Sequence, residues 1–334
     1  MNIKKMPKLN QIYCSDTLEF LKNLPDGCID LAMTSPPYWG LRDYQVSGQL
    51  GLEPNFEEYI SKSLVIYQEI KRVLKPTGSF YLNISDTYSG SGMGYGQTEN
   101  SKGFQNVFKQ SYYPTHNHPA LQSKCQLPKK SLIGIPWRIA LKMVEQGWIL
   151  RNAIVWHKPN AMPSSVKDRL NTTYEFVFHF VKAKKYYYNL DAIRVLHKAT
   201  SLKRIQYPIN PFGCNGKVRM TGSSKGNLKN VRIKLNPKGK NPGDFWQIST
   251  QSFKGQHFAT YPEKLCEIPI KASCPQNGIV LDPFSGSGTT CLMAKKLGRN
   301  YIGIDLNPYY CQMASDRIGS ASGGKERINN YENK

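Results

Sequence analysis

The segment Val280–Thr290, with the sequence VLDPFSGSGTT, has the pattern of a short apolar strand followed by a glycine-rich turn that opens a helix. Glycines let the backbone approach a ligand closely, and ligands of parallel α/β sheets bind at the carboxyl ends of the strands. A phosphate-binding loop would need a lysine after the last glycine, and a nicotinamide-binding turn would need a third glycine at the position of Cys291. Both of these common uses of the turn are therefore disfavoured.

The next predicted strand, residues 301–305, ends in an acid, Asp305, within the sequence GIDLNP. In dinucleotide-binding folds an acid at this place binds the two hydroxyls of a ribose. Together with a predicted strand at 278–282 and a predicted helix at 289–297, it forms a βαβ unit. The sequence therefore predicts a ligand that contains a nucleoside.

The same alternation of strands and helices continues towards the N-terminus and indicates the α/β class. Strands are predicted at 29–34, 79–84, 149–156 and 174–181, and helices at 56–74 and 132–146. The sequence Lys75-Pro76-Thr77-Gly78 is expected to end the helix that precedes it. A chain of 334 residues is long for one small domain, so we expect one catalytic domain with a sizeable insertion or second lobe.

Two segments lack the pattern of a packed core. Residues 86–131 contain the run SGSGMGYG and many polar residues, which predicts a mobile loop or a disordered insertion. Residues 194–240 hold twelve Lys or Arg and neither Asp nor Glu, in a chain whose formal charge is +22. Such a stretch is either a solvated basic face or a DNA contact, and the absence of acids favours DNA.

Composition also sets the expected environment. No apolar run is long enough to cross a membrane, and the N-terminal residues lack the apolar segment of a secretory signal. The eight cysteines are scattered, with no Cys-x-x-Cys pair and no Cys/His grouping at metal-binding spacing. We expect a soluble cytoplasmic protein with reduced cysteines, no metal and no membrane partner.

A second motif, Asp30–Trp39 with the sequence DLAMTSPPYW, is a strand that runs into two prolines and two aromatic residues. Prolines hold the chain in a rigid extended turn and leave the preceding carbonyls without ladder partners. Free acceptors beside an aromatic ring form a pocket for a flat base that carries an amino group. The alternative interpretation is a purely structural turn that is closed by an aromatic side chain.

Together the two motifs resemble those of the amino-group DNA methyltransferases of restriction-modification systems, in the branch whose substrate motif precedes its cofactor motif (the β arrangement). The similarity extends over nearly the whole chain, including YCSD at 13–16, NISD at 83–86 and HFATYP at 257–262. It implies a Rossmann-like, circularly permuted methyltransferase fold that binds S-adenosyl-L-methionine. The implied regions are an N-terminal catalytic region over residues 1–193, a basic target-recognition region over residues 194–250 and a C-terminal catalytic region over residues 251–334.

The resemblance also implies site residues. The substrate pocket would be formed by Ser35, Pro36, Pro37 and Tyr38. The cofactor would be bound by Asp16, Thr260, Asp282, Phe284, Gly286, Gly288 and Asp305. For Asp16, an equally good interpretation is the N-cap of a helix over 17–23. For His257, a structural role is favoured over a catalytic one.

The implied reaction is methylation of cytosine N4 in duplex DNA after base flipping, which protects host or phage DNA from restriction. Members of this family with Ser at the first motif position tend to act on cytosine, and Ser35 has that place. Adenine N6 stays open, as do an RNA or protein amine substrate and a non-catalytic DNA-binding role. The implied partners are double-stranded DNA and, where one exists, a cognate restriction endonuclease; both a monomer and a homodimer are compatible with the sequence.

Overall fold

A computed structural model of the chain describes residues 4–90, 125–204, 235–251 and 261–321. The chain forms two compact units, a main unit of Met1–Tyr188 with Asp244–Lys334 and an insert unit of Asn189–Gly243. The predicted division into functional regions at residues 193 and 250 stays a prediction. Residues 91–124 of the predicted mobile loop and 205–234 of the basic segment lie outside the described residues.

The main unit combines a mixed sheet with six helices in its described part. In chain order the elements are β1 (Gln11–Cys14), α1 (Thr17–Asn23), β2 (Ile29–Thr34), α2 (Phe56–Val73), β3 (Leu74–Ile84), α3 (Ile135–Glu145), β4 (Ile149–His157), β5 (Tyr174–Val181), β6 (Phe245–Gln247), α5 (Glu263–Ser273), β7 (Ile279–Asp282), α6 (Thr289–Lys296), β8 (Asn300–Asp305) and α7 (Pro308–Ser320), with α4 (Ala199–Arg204) in the insert unit.

The eight described strands form one sheet in the order β1-β8-β7-β2-β3-β5-β4-β6. The first five are parallel neighbours, β5 is antiparallel to both β3 and β4, and β6 is parallel to β4. The N-terminal strand β1 therefore pairs with β8 from the C-terminal end of the chain. The carboxyl ends of β1, β8, β7, β2 and β3 consequently lie along one edge.

Helices cover both faces of this sheet, which is why its central strands are apolar throughout. All six residues of β2 are buried, and they alternate between two separate cores. Ala32 packs with the cluster that includes α1, α2 and α3, whereas Leu31 and Met33 pack with the cluster that includes α5 and α6. Helix α2 begins where the side chain of Asn55 accepts a hydrogen bond from the Glu58 backbone N–H.

The predicted α/β class is confirmed, and most of the predicted elements are found within a few residues of their expected bounds. Two boundaries differ. The helix expected at 132–146 begins at Ile135, because Gly134 has a left-handed φ of 80°. The turn expected at 75–78 lies inside β3, where the pairing with β2 shifts between Ile29 and Leu31, so that these residues form an irregularity in the strand.

The described part of the insert unit contains a 3-10 helix, Leu190–Ile193, and the short helix α4. Val195 and Lys240 form an isolated antiparallel bridge within this unit. Asp191 accepts hydrogen bonds from Arg194 (2.7 Å) and Lys238 (2.7 Å).

Two kinds of feature are absent from the described residues. None of their helices is long and apolar enough to cross a membrane. Nor do these residues include a group of three His, Cys, Asp or Glu side chains that could hold a metal ion.

Candidate active site

A cavity of about 1300 Å³ lies at the edge of the sheet where the parallel strands end. Pockets for one small ligand usually enclose about 300 to 1000 Å³, so this cavity has room for a nucleoside cofactor and a base together. Both predicted motifs line it. Ser35 follows β2, Phe284 follows β7, and Asp305 ends β8.

The two motifs meet because their strands are neighbours. Strands β2 and β7 pair in parallel, with Leu31 opposite Val280 and Ala32 opposite Leu281. At the ends of these strands the Thr34 hydroxyl donates to Asp282 Oδ1 at 2.7 Å. Residues that are 248 positions apart in the chain are thus joined directly beneath the cavity.

At the β8 side, Asp305 is fixed by backbone donors. The Gly286 N–H donates to Asp305 Oδ2 at 2.8 Å, and the Asn307 N–H donates to Oδ1 at 2.9 Å. Burial raises the pKa of this carboxyl above its ordinary value. Gly286 (φ 49°) and Gly288 (φ 76°) both have the left-handed backbone that bends the turn back towards Asp305.

Asp282 is buried beneath the cofactor turn. Its Oδ1 accepts from the Phe284 N–H at 3.2 Å as well as from Thr34, and its Oδ2 accepts from the Tyr261 hydroxyl at 3.2 Å. Burial raises the pKa of Asp282 to about 6, although these donors act in the opposite direction. Since Asp282 is also almost fully shielded from solvent, its visible role is to hold the turn from below.

Asp16 satisfies both of its predicted interpretations. Its side chain accepts a hydrogen bond from the Glu19 N–H at 2.9 Å and so caps α1. It also lines the cavity, and the neighbouring Thr17 hydroxyl donates to the Pro283 carbonyl at 2.6 Å. Its role in cofactor binding stays a prediction.

The Ser-Pro-Pro-Tyr segment forms the other end of the cavity. Ser35 Oγ donates to the Tyr38 hydroxyl at 3.1 Å. The Pro37 carbonyl accepts from the Tyr59 hydroxyl at 2.9 Å, which anchors the turn to α2. Trp39 is buried in the core and donates its indole N–H to the Glu53 carbonyl. The turn is therefore held rigidly from below, as its prolines predict, while Ser35 and Tyr38 face the cavity.

Three further polar residues at this end were not predicted as site residues. The Tyr38 hydroxyl donates to Glu175 Oε2 at 2.8 Å, and Asn83 Nδ2 donates to the same oxygen at 2.9 Å. Lys158 Nζ pairs with Glu175 Oε1. A signal was present in the sequence, because each is a polar residue at or next to the end of an apolar strand. It became informative only when the pairing of β3, β5 and β4 placed those ends at one edge.

Thr260, a predicted cofactor-binding residue, and His257 lie outside the described residues. The adjoining Tyr261 is described, and its hydroxyl contacts Asp282 and Thr290. This end of the HFATYP segment therefore lies at the cofactor turn, on the side for which the family resemblance predicts the methionine end of the cofactor.

The residues of the cofactor side fit S-adenosyl-L-methionine. Ser285 Oγ is buried and has no hydrogen-bond partner among the described residues, although its residue lines the cavity. Asp305 is positioned to accept from ribose hydroxyls, and Phe284, Leu306 and Tyr310 provide apolar walls for a flat ring beside it. An unpaired donor, a fixed carboxylate and an apolar slot match the polar and flat parts of an adenosine.

Comparison with known proteins gives a consistent result. A family model described as DNA methylase, of the N6/N4 methyltransferase type, matches residues 29–316. The chain is 35% identical over 317 residues to the Type II methyltransferase M.XycI of Xanthomonas campestris pv. cyanopsidis, which covers 95% of this chain and 90% of that protein. It is 36% identical over 307 residues to the Type II methyltransferase M.Cfr9I of Citrobacter freundii, with 92% and 87% covered.

Solved structures share the fold. The cytosine-N4-specific PvuII DNA methyltransferase superposes with a TM-score of 0.57 at 20% identity, and the match covers 92% of this chain and 89% of that one. A DNA modification methylase of Thermus thermophilus, titled as putative and solved in complex with S-adenosyl-L-methionine, gives a TM-score of 0.55 at 19% identity, with 93% and 95% covered. The predicted Rossmann-like methyltransferase fold is confirmed.

Proposed function

Because the chain belongs to the N6/N4 family of DNA methylases, we propose that it transfers a methyl group from S-adenosyl-L-methionine to N4 of cytosine in duplex DNA. The observation that carries this proposal is that one cavity holds Ser35 at one end and Asp305 at the other. An amino-group pocket and a nucleoside pocket are thereby open to each other. The serine at the first motif position favours cytosine over adenine.

The cofactor side is proposed to bind through Asp16, Thr260, Asp282, Phe284, Gly286, Gly288 and Asp305. Asp305 accepts from the ribose hydroxyls, and the left-handed glycines let the backbone of the turn lie against the ligand. S-Adenosyl-L-methionine supplies a methyl group that is already electrophilic because its sulfur is positively charged. The protein's task is then to align an amino nitrogen, and positioning of this kind contributes roughly 7 to 11 kcal/mol in favourable cases.

The substrate side is proposed to bind the base through Ser35, Pro36, Pro37 and Tyr38. Ser35 Oγ and the Pro36 carbonyl accept the two N–H bonds of the amino group, which localises its lone pair on nitrogen. The Ser35 hydroxyl already donates its own proton to Tyr38, so its lone pairs face the substrate as acceptors. The Tyr38 ring stacks on the base.

The proposed substrate is double-stranded DNA with the target base flipped out, because the amino group is otherwise paired inside the duplex. Flipping costs a few kcal/mol, which contacts to the phosphate backbone must offset. The formal charge of +22 and the acid-free basic segment 194–240 favour such contacts. The Type II methyltransferases among the relatives support a role in restriction-modification, with a restriction endonuclease of the same site as a further proposed partner.

The test is to incubate the protein with S-adenosyl-L-methionine and unmethylated duplex DNA and then to identify the modified nucleosides by mass spectrometry. We expect N4-methylcytosine. N6-methyladenine would keep the family and the cavity but refute the choice of base, and methylation of RNA in preference to DNA would refute the DNA substrate.

A further inference from the structure

Four side chains form a continuous hydrogen-bonded chain that starts at Ser35 and ends at an ion pair. Ser35 Oγ donates to Tyr38 Oη at 3.1 Å, and Tyr38 Oη donates to Glu175 Oε2 at 2.8 Å. The other carboxylate oxygen of Glu175 pairs with Lys158 Nζ. Both hydroxyl protons therefore point away from the substrate pocket and towards the carboxylate.

Burial and charge fix the far end of this chain. The side chain of Glu175 is 12% exposed and that of Lys158 is 21% exposed. Asn83 Nδ2 donates to the same Glu175 oxygen as Tyr38, at 2.9 Å, and Lys158 Nζ lies 4.6 Å from the centre of the Trp156 ring. Three donors thus surround the carboxylate, and each complements its negative charge.

Amino methylation produces a proton that must leave the pocket. When the lone pair of the amino nitrogen forms the new N–C bond, the electron pair of the S–C bond stays on sulfur, and the nitrogen becomes positively charged. One of its N–H protons must then be lost to give the neutral methylated base. Ser35 alone is too weak a base to keep that proton, so a further acceptor is required.

We propose that Glu175 is a positioning residue that accepts this proton through Tyr38 and Ser35; the inference rests on the function proposed above. Ser35 Oγ takes the proton from nitrogen while its own proton passes to Tyr38 Oη, and the Tyr38 proton passes to Glu175 Oε2. The products are a neutral methylated base, unchanged Ser35 and Tyr38, and a protonated Glu175 that later returns its proton to water.

The neighbouring carboxylate is a poorer candidate for this acceptor. Both oxygens of Asp282 already accept hydrogen bonds, from Thr34, Phe284 and Tyr261. Among the described residues, no hydrogen bond joins Asp282 to Ser35, whereas the Ser35 hydroxyl donates to Tyr38. Burial raises the pKa of Tyr38 well above its ordinary value, which disfavours a free tyrosinate and favours a relay in which Tyr38 gains one proton as it loses another.

The experiment compares Glu175→Gln, Tyr38→Phe and the double variant with the wild-type protein. The rate of methyl transfer is measured in single turnover, with enzyme and S-adenosyl-L-methionine in excess over the unmethylated duplex DNA. We expect each single variant to be slower by about 100-fold, within the range for proton-transfer groups. The Kd values for cofactor and for DNA should change by no more than about twofold, because neither residue is needed for binding in this proposal.

Two further variants separate a relay from a merely structural role. The double variant should be no slower than the slower single variant, because residues that act in one path are not additive. Glu175→Asp, which keeps a carboxylate, should recover part of the rate. The matched control is Glu267→Gln, which removes a carboxylate that is paired with Lys271 on α5 and does not line the cavity, and it should keep the wild-type rate.

A wild-type rate in Glu175→Gln, or losses that multiply in the double variant, would overturn this inference alone. If Glu175→Gln does not fold because Lys158 is left buried without its partner, Tyr38→Phe decides, since it keeps the ion pair and interrupts only the relay. Failure of the wild-type protein to methylate DNA would refute the proposed function together with this inference.

Discussion

Replacement of Asp282 by asparagine should remove a pH dependence of folding stability that the wild-type protein carries. Burial raises the pKa of this carboxyl from its ordinary 3.8 to about 6 in the folded protein. Between these two values the folded protein binds a proton that the unfolded chain has lost. The contribution to stability is therefore complete below about pH 4 and is lost as the pH rises through about 6.

The expected magnitude follows from the size of the shift. A difference of about two pKa units corresponds to roughly 3 kcal/mol in the free energy of unfolding. Solvent screening does not reduce this value much, because Asp282 is only 1% exposed. Since asparagine does not titrate, the stability of the wild-type protein relative to Asp282→Asn should fall by roughly 3 kcal/mol between about pH 4 and pH 7.

The assay is urea unfolding of the cofactor-free protein and of Asp282→Asn at several pH values in this window. The control is Asp168→Asn, because Asp168 is exposed, pairs with Lys130 and has a lowered pKa, so any effect should have the opposite sign. A wild-type advantage that is constant across the window would refute the assigned burial of a proton on Asp282.

Three further predictions concern the two ends of the cavity and the turn between them. Ser35→Ala should leave the Kd for S-adenosyl-L-methionine unchanged and lower the single-turnover rate by about 100-fold; full activity would remove Ser35 from the mechanism. Asp305→Asn should raise the Kd for the cofactor by about 10- to 100-fold, as titration calorimetry would measure, because a charged acceptor is lost; an unchanged Kd would contradict ribose binding. Gly288→Ala should destabilise the protein by roughly 2 kcal/mol or more, because the new Cβ would lie 2.9 Å from the Ala314 Cβ at a left-handed φ of 76°. In thermal unfolding, Gly27→Ala should cost less, since its new Cβ would meet nothing within 4 Å; equal losses would contradict this packing argument.

Local sequence patterns were sufficient for the elements that determine the fold class. The strand Tyr174–Val181 has the predicted bounds, and the helix Thr289–Lys296 ends one residue before its predicted end. These elements combine a clear hydrophobic pattern with a local start signal, such as the glycine turn before α6. Such signals depend on neighbours within a few residues and can therefore be read from the chain alone.

Elements without such signals were not predicted. Helix α5 contains Pro269, which sequence rules treat as a helix breaker, yet this proline is buried and its helix continues to Ser273. Strand β1 has no buried residue, and its identity as a strand depends on pairing with β8, almost 300 residues away. Tertiary packing overrides weak local preference in both cases.

The candidate site divides in the same way. Asp305 and Ser35 could be predicted because each ends a strand within a motif whose chemistry is local. Glu175 and Lys158 could not, because their proximity depends on the antiparallel pairing of β5 with both β3 and β4. A carboxylate at the start of one strand and an ammonium after the end of another have no visible relation until the register is known.

One pairing in the sheet explains why a methyl donor and an amino acceptor can meet in this chain. Transfer requires the two ligands to be in line and in contact, so their pockets must be fixed relative to each other. Here the substrate turn leaves β2 and the cofactor turn leaves β7, and these strands are parallel neighbours that end together. The bond from Thr34 to Asp282 joins the two turns at their bases, below the cavity. A change that shifts the register of β2 against β7 should therefore abolish transfer even when each pocket still binds its own ligand.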